Sequence, residues 1–470
     1  MSALHYISTR GEAPNLGFAD AMLAGLARDG GLYVPHNLPH WSPSDIRALT
    51  GLSYAQAATR IVLPFTGGDI GEAELAGMAH EAYADFRHAA CAPIAQLEDN
   101  LFLAELFHGP TLAFKDFAMQ LLGRMMNHVL RQRGQRATIV GATSGDTGAA
   151  AIEAFGGQSQ TDVFILFPRG RVSDVQRRQM TAADKANVYA IAIEGTFDDC
   201  QAILKALFND LPFRDAMKLS GVNSINWARI VAQIVYYFTT AVAVGAPGRN
   251  VSFTVPTGNF GDILAGYYAK KMGLGIERLV IAANENDILA RTLESGVYEK
   301  RGVKATQSPS MDIEVSSNFE RLLFDAYSRD PRAIRGLFAQ LAQSNGFTIA
   351  RGPMESIRRD FDASRTDEAQ CAEEIARVFL RCGMIVDPHS AIAIHAARQA
   401  QARHPATPMI ALATAHPAKF PDAVAAATGR RAETPAHLEE VLRREESFFD
   451  LPNDVAAVAD FIAKRARIAP

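Results

Sequence analysis

Cysteine is scarce in this chain, and its four cysteines are far apart among 470 residues: Cys91, Cys200, Cys371 and Cys382. No two of them have the spacing of a zinc knuckle or a CxxC motif, so we expect no structural metal site. Residues 1–6 contain no basic segment followed by an apolar one, and the sequence therefore predicts no secretory signal. Scattered thiols in such a chain favour a cytoplasmic location.

An excess of charge and a long apolar run are also missing. The formal net charge is −4, which gives no electrostatic reason to expect nucleic acid or an anionic membrane as a partner. The most apolar helical stretch, residues 227–244, is interrupted by Arg229 and Gln233, so we predict a buried core helix there rather than a membrane span. The composition is 48% hydrophobic and 21% charged, as in globular proteins, and the length suits two or three domains.

From about residue 100, short β-branched runs alternate with helical patterns. The strand-like runs are residues 137–141, 162–168, 187–193, 251–255, 279–283 and 408–414. Such alternation is typical of parallel sheets covered on both faces, with ligand sites at the carboxyl ends of the strands. The predicted fold class is therefore α/β. We expect two open, mostly parallel sheet domains at residues 96–215 and 216–470, after a mainly helical subdomain at residues 1–95.

Lys115 stands at the head of an amphipathic stretch, just after a turn at residues 108–110. Apolar residues recur there at helical spacing, and Thr111 is a candidate N-cap. A lysine at the start of a buried helix is desolvated and lies near the positive end of the helix dipole, and both effects disfavour the ammonium form. A lysine made neutral in this way is suited to Schiff-base chemistry. The alternative, which the local residues alone favour, is a lysine whose side chain extends from the core helix to solvent.

Two glycine-containing turns, at residues 141–148 and 256–262, each follow a strand and open a helix. Glycine lets backbone amides approach a ligand, and the unpaired N–H groups at the start of a helix favour a carboxylate or phosphate. Successive amides in the second turn can form a concave anion site. Neither turn fits the dinucleotide fingerprint or the P-loop, and either one alone could be only a tight connection.

Thr414 ends the last strand-like run, where the ligand site of an open sheet is expected. Its hydroxyl could face a heteroaromatic nitrogen or cap the next helix, and the local residues favour the cap. His389 and His416 could be general bases, but a lone histidine in such a position is usually structural, and we interpret both in that way.

A lysine, two anion sites and a polar strand end together indicate one cofactor. Pyridoxal phosphate has an aldehyde for the lysine, a phosphate for one anion site and a pyridine nitrogen for the strand end. The carboxylate of an amino-acid substrate would then occupy the other anion site.

The sequence resembles the threonine synthase family, whose members are pyridoxal-phosphate enzymes of fold type II, the tryptophan-synthase-β-like fold. The segments that show the resemblance lie along most of the chain, at residues 6–11, 25–35, 108–117, 142–148, 223–229, 256–262 and 414–420. The lysine and the Ser-Gly-Asp-Thr-Gly motif resemble serine and threonine dehydratases as well. Taken together with the amino-terminal block and the Asn-Ser-Ile-Asn-Trp segment, the set looks specific to threonine synthases.

The resemblance implies a role for each candidate residue. Lys115 matches the catalytic lysine that binds the cofactor, and Thr414 matches the hydroxyl that faces the pyridine nitrogen. The residues that match the cofactor-phosphate loop are Gly258, Asn259, Phe260 and Asp262. Those that match the substrate-carboxylate loop are Thr143, Ser144, Asp146 and Thr147. Asp262 replaces an asparagine expected in many relatives, and its charge would disfavour a nearby phosphate unless the side chain points away.

The reaction that the resemblance implies converts the small molecule O-phospho-L-homoserine and water into L-threonine and phosphate. The γ-phosphate is eliminated, water adds at the β-carbon, and Lys115 is a plausible base for the α-proton. The substrate phosphate needs partners of its own, and the candidates, which the sequence does not rank, are Arg177, Arg178, Arg229 and Lys419. A related dehydratase or phospho-lyase is the alternative. We expect a monomer or a small homo-oligomer.

Overall fold

The structure is a computed structural model that describes residues 4–468. Its first part is mainly helical, as predicted, and includes one pair of short antiparallel strands. The elements of this part are β1 (Tyr6–Ser8), α1 (Phe18–Ala24), β2 (Tyr33–Pro35), α2 (Pro43–Arg47), α3 (Tyr54–Val62) and α4 (Glu72–Tyr83). The side chains of Ser42 and Ser53 begin α2 and α3 with capping boxes, which satisfy amides that the helices leave unpaired.

The middle of the chain alternates strands and helices. Its elements are β3 (Ile94–Glu98), β4 (Leu101–Glu105), α5 (Lys115–Gln132), β5 (Ala137–Ala142), α6 (Asp146–Phe155), β6 (Thr161–Pro168), α7 (Asp174–Thr181), β7 (Val188–Ile193), α8 (Phe197–Asn209), α9 (Leu211–Ala216) and β8 (Leu219–Gly221). The strands predicted at residues 137–141, 162–168 and 187–193 are confirmed to within a residue or two.

The remaining elements continue the same theme. They are α10 (Trp227–Ala243), β9 (Val251–Pro256), α11 (Gly261–Lys271), β10 (Ile276–Ala283), α12 (Ile288–Ser295), β11 (Val297–Glu299), α13 (Phe319–Ala326), α14 (Pro331–Ser344), β12 (Gly346–Thr348), α15 (Arg351–Asp360), β13 (Phe361–Arg365), α16 (Glu368–Cys382), α17 (Pro388–Gln401), β14 (Met409–Ala413), α18 (Pro421–Thr428), α19 (Ala436–Arg443), β15 (Phe449–Leu451) and α20 (Val455–Ala463). Short 3₁₀ helices occur at Leu63–Thr66, Pro309–Met311 and Pro417–Lys419.

Two mostly parallel sheets form the frame of the molecule, so the predicted α/β class is confirmed. One sheet has the order β15-β7-β6-β5-β8 and is parallel throughout. The other has the order β13-β10-β9-β14-β4-β3, and only its β3–β4 pair is antiparallel.

The strands do not follow the boundaries proposed at residues 95 and 215. Although β4 precedes Lys115, it pairs with β14 near the other end of the chain, and β15 returns to pair with β7. The division into domains at those boundaries remains a prediction. Pairing between segments so far apart is set by tertiary packing, which no local pattern reports.

Helix α10 is buried along nearly its whole length and packs against α3, α5 and α11. This agrees with the prediction of a core helix at residues 227–244. No helix within residues 4–468 is long and apolar enough to cross a membrane. The four cysteines are free thiols.

Candidate active site

The predicted site residues meet at one cavity of about 440 Å³, which lies at the carboxyl ends of β5, β9 and β14. Those in its wall are Lys115, Thr143, Ser144, Thr147, Gly258, Asn259, Phe260, Asp262 and Thr414. Asp146 is buried behind the wall. The carboxyl ends of parallel strands are where an open α/β sheet places its ligand.

Lys115 is the first residue of α5, and its side chain is held inside the protein rather than in solvent. Only 8% of the residue is exposed, so the alternative of a lysine that reaches solvent is wrong. Its Nζ lies 3.3 Å from Ser310 Oγ and 3.6 Å from Asp146 Oδ2. Burial lowers the pKa of Lys115 to about 8; Asp146 opposes this shift, and the positive charges of Lys419 and Arg229 add to it.

The prediction of Thr111 as the N-cap of this helix is wrong. Phe114 occupies the cap position and makes no side-chain cap bond. The side chain of Asp116 instead reaches back to the turn, where it accepts hydrogen bonds from Thr111 N at 2.8 Å and Thr111 Oγ1 at 2.6 Å. Phe114 N also donates to Thr414 O at 2.9 Å, which fixes the start of α5 against the end of β14.

The loop between β9 and α11 has the features of an anion site. Ser316 Oγ donates to Gly258 O at 2.6 Å, and Asn318 Nδ2 donates to Asn259 O at 3.0 Å, so both carbonyls bind the surrounding protein. Phe260 has a left-handed backbone with φ +64°. Within residues 4–468, four consecutive amides donate no hydrogen bond, those of Gly258, Asn259, Phe260 and Gly261. Unpaired amides at a helix N-terminus form an anion-binding concavity.

Gly258 is required in this loop by space rather than by its dihedral angles. A Cβ at this position would lie 2.6 Å from Ser310 O. The loop can therefore approach the Pro309–Met311 turn only because position 258 has no side chain.

Asp262 has its carboxylate directed at two tyrosines of α10. Its Oδ1 accepts hydrogen bonds from Tyr236 Oη at 2.5 Å and Tyr237 Oη at 2.9 Å. Burial raises the pKa of Asp262 to about 6, against the opposing effect of the tyrosine hydrogen bonds. The Oδ1 atom is therefore already bound by the two tyrosines, whereas the backbone N–H of Asp262 remains available at the start of α11.

The loop between β5 and α6 forms a second set of unpaired amides. Thr143 Oγ1 accepts hydrogen bonds from Gly145 N at 2.9 Å and Gly148 N at 3.0 Å, which shapes the turn. The amides of Ser144, Asp146 and Thr147 donate no hydrogen bond to any residue from 4 to 468. These groups suit a carboxylate.

The side chain of Asp146 faces away from that site. Its Oδ1 lies 2.6 Å from Lys419 Nζ and accepts a hydrogen bond from Gln176 Nε2 at 2.8 Å. The predicted substrate contact of Asp146 is therefore restricted to its backbone, because its carboxylate is already bound by groups of this chain.

The capping alternative for Thr414 is wrong, since the helix that follows is capped by His416. His416 Nδ1 accepts a hydrogen bond from Ala418 N at 3.2 Å, and burial lowers the pKa of His416 to about 4. This histidine is a neutral structural cap, as we interpreted it. The Thr414 hydroxyl makes no hydrogen bond to the rest of the described chain and lies in the cavity wall.

His389 lies in the cavity wall with both ring nitrogens occupied. Nδ1 lies 2.7 Å from Asp387 Oδ2, and Nε2 accepts a hydrogen bond from Ser310 N at 3.3 Å. Sequence reasoning missed Ser310, which contacts Lys115 from 195 residues away in a short turn that contains no motif. No signal in the sequence could have identified it.

Of the four cationic candidates for a second anion, only Arg229 lies in the cavity wall. Arg177 and Arg178 pair with Glu446, and Lys419 pairs with Asp146. Arg229 donates to Val222 O at 3.0 Å, but its Nε is buried without a partner among residues 4–468.

The residues of this cavity fit pyridoxal phosphate. An amine, a concave set of unpaired amides and an unbonded hydroxyl match its aldehyde, phosphate and pyridine nitrogen in number and chemistry. The buried Oδ1 of Asn223, also in the wall, has no hydrogen-bond partner within the described residues, as expected where a polar ligand completes the bonding.

Comparisons with known proteins agree with this fit. The "Threonine synthase N terminus" family matches residues 5–83, "Pyridoxal-phosphate dependent enzyme" matches residues 89–414, and "Threonine synthase, C-terminal" matches residues 390–462. Threonine synthase from Pseudomonas aeruginosa is 50% identical over 98% of both chains. The structure of threonine synthase with bound pyridoxal phosphate from Brucella melitensis is 60% identical and superposes with a TM-score of 0.94 over 99% of this chain and 100% of the other. The yeast enzyme is 37% identical, with a TM-score of 0.92 over 99% of each chain.

The fold and the site define a pyridoxal-phosphate-dependent lyase of fold type II. Matches to both threonine synthase families and to threonine synthases over nearly the full length settle the assignment within that class. The chain belongs to the threonine synthase family.

Proposed function

We propose that this cavity converts O-phospho-L-homoserine and water into L-threonine and phosphate, with Lys115 as both the cofactor-binding residue and the base. The observation that supports this most directly is the buried Lys115 amine between two separate sets of unpaired amides. One set suits the cofactor phosphate and the other suits an amino-acid carboxylate, so both ligands can be bound beside one lysine.

The cofactor is held by groups from three elements in this proposal. The amides of Gly258, Asn259 and Phe260, with that of Asp262 at the start of α11, bind the phosphate, and the Thr414 hydroxyl faces the pyridine nitrogen. When bound, pyridoxal phosphate supplies an electron sink for charge that develops on the substrate.

The substrate carboxylate is held at the N-terminus of α6. The amides of Ser144, Asp146 and Thr147 donate to it, and the Thr143 hydroxyl, whose oxygen already accepts two amides, has its hydrogen left to donate. This binding orients the substrate α-carbon toward Lys115 Nζ.

Lys115 is suited to accept and return the α-proton. A group with a pKa of about 8 is neutral often enough near neutral pH to accept a proton, and its conjugate acid is strong enough to return it. Ser310 Oγ, 3.3 Å from the amine, orients Nζ while it takes up and releases the proton.

Arg229 is the partner that we assign to the substrate phosphate. It is the candidate arginine in the cavity wall, and its Nη2 donates no hydrogen bond to any residue from 4 to 468. A charge-assisted hydrogen bond from a guanidinium to a phosphate oxygen would satisfy that group.

We further propose that the enzyme is cytoplasmic, acts as a monomer or a small homo-oligomer, and has no nucleic-acid or membrane partner. A net charge of −4 and four free thiols support this. Cell fractionation and light scattering of the purified protein test the location and the oligomeric state.

The purified enzyme with pyridoxal phosphate is incubated separately with O-phospho-L-homoserine, L-serine and L-threonine. We expect equal amounts of phosphate and threonine from the first substrate and negligible 2-oxo acid from the other two. A 2-oxo acid as the main product would instead establish the dehydratase alternative, and phosphate without threonine would establish a phospho-lyase.

A further inference from the structure

Lys419 is a completely buried lysine outside the cavity wall. Its exposed fraction is 0%, and it lies at the end of the Pro417–Lys419 turn. Nζ lies 2.6 Å from Asp146 Oδ1 and donates to Thr111 O at 2.9 Å. A buried ammonium requires such partners, because it has lost its hydration.

Asp146 is shared between this lysine and Lys115. One carboxylate oxygen contacts Lys419, and the other lies 3.6 Å from Lys115 Nζ. Burial by itself raises the pKa of Asp146, but Lys419 and then Lys115 hold it well below its usual range, so the carboxylate stays ionised.

The charges of these three groups balance only when Lys115 is neutral. With both lysines protonated the cluster has a net charge of +1, and it becomes neutral when Lys115 loses its proton. Without Lys419, the same proton loss would leave the Asp146 carboxylate buried with no cation beside it, which is strongly unfavourable. Two further charged groups lie near the cluster. Arg229, near Lys115, binds the Val222 carbonyl and not the Asp146 carboxylate. Asp116, the other buried carboxyl near Lys419, accepts its hydrogen bonds from Thr111, and burial raises its pKa to about 6.

We propose that Lys419 is a positioning residue that acts as the counter-ion of Asp146, so that the Lys115 amine can lose its proton without leaving the buried Asp146 carboxylate unpaired. The same side chain binds Thr111 O and so holds the turn before Lys115 in place. The proposal rests on the role given to Lys115 in the proposed function.

The test measures how Lys115 titrates in the cofactor-free protein, from the pH dependence of its acetylation by acetic anhydride, read by peptide mass spectrometry. In Lys419→Met we expect the titration of Lys115 to move upward by at least about one pH unit, so that its labelling at neutral pH slows at least about tenfold. Lys419→Arg keeps the positive charge, so Lys115 should titrate in this variant at nearly the same pH as in the unmodified protein. The control is Lys464→Met, which removes an exposed lysine paired with Asp460 in α20. The titration of Lys115 should not change in this variant.

An unchanged Lys115 titration in folded Lys419→Met would overturn the proposal. If that variant does not fold, Lys419→Gln is used instead, because its uncharged amide can still donate to Asp146 Oδ1 and Thr111 O. Lys115 should titrate higher in Lys419→Gln than in Lys419→Arg, and equal titrations of Lys115 in these two variants would overturn the proposal. No turnover is needed for these measurements, so failure of the proposed reaction is seen separately in the product assay.

Discussion

Ser310 Oγ lies 3.3 Å from Lys115 Nζ, and the same serine packs its backbone carbonyl against Gly258. Its backbone N–H donates to His389, which Asp387 holds from the other side. One residue of a short turn thus contacts Lys115, the loop proposed to bind the cofactor phosphate and a buried histidine. This turn therefore lies between Lys115 and that loop.

Ser310→Ala should reduce kcat about tenfold and leave the KM for O-phospho-L-homoserine nearly unchanged. The variant removes one hydrogen bond to Lys115, whereas the backbone bond from Ser310 to His389 is retained. Steady-state kinetics measure both constants, with Ser344→Ala on the exposed face of α14 as the control. An unaltered kcat would show that the hydroxyl does not orient the amine.

Gly258→Ala should weaken binding of pyridoxal phosphate about tenfold or more. The new methyl group would lie 2.6 Å from Ser310 O and would force the loop and the turn apart. Cofactor fluorescence during titration of the cofactor-free protein gives the Kd. Gly336→Ala is the matched control, since a Cβ there meets nothing within 4 Å and should stabilise α14 by about 1 kcal/mol. Equal cofactor affinity in the two variants would refute the steric account.

Arg229→Gln should raise the KM for O-phospho-L-homoserine roughly 10- to 100-fold, the cost of a hydrogen bond between charged partners. Inorganic phosphate should also become a weaker inhibitor. Arg177→Gln, which loses only its pairs with Glu446 and Asp174, serves as the control with near-normal KM. If both variants keep a normal KM while remaining folded, another residue binds the substrate phosphate.

Asp262→Asn should become more stable relative to the unmodified protein as the pH rises from about 4 to about 7. Because burial raises the pKa of Asp262 to about 6, the folded state binds this proton more tightly than the unfolded state does. The stability that the bound proton contributes is complete at low pH and is lost as the pH rises through about 6. The difference is at most about 3 kcal/mol.

Asparagine should keep both tyrosine hydrogen bonds at position 262, because its side-chain carbonyl oxygen can still accept hydrogen bonds from Tyr236 and Tyr237. Thermal unfolding at several pH values measures the effect, with Asp422→Asn on the surface as the control. A difference in Tm between Asp262→Asn and the unmodified protein that does not vary with pH would contradict the assignment.

The local sequence pattern was sufficient to predict many of the strands and helices. Apolar runs and turn residues placed β5, β6, β7 and α10 within a few residues, because each is determined by its own periodicity. The two anion loops were also found, since a strand, a glycine turn and a helix start are consecutive in the chain.

Contacts between distant segments could not be predicted in the same way. The carboxylate of Asp146 binds Lys419, and Thr111 binds Asp116 instead of capping the helix, which no spacing rule reports. The local residues favoured Thr414 as a cap, and only the structure shows that His416 holds that position. Each of these errors concerns a side chain whose partner is chosen by tertiary packing.

Direct identification of the lysine that binds the cofactor is the strongest test of the account. The enzyme is loaded with pyridoxal phosphate, reduced with borohydride to make the link permanent, and digested for peptide mass spectrometry. We expect the cofactor mass on Lys115 and no labelled peptide from Lys115→Ala treated in the same way. Cofactor found on another lysine, such as Lys419, in the unmodified protein would contradict the central role given to Lys115.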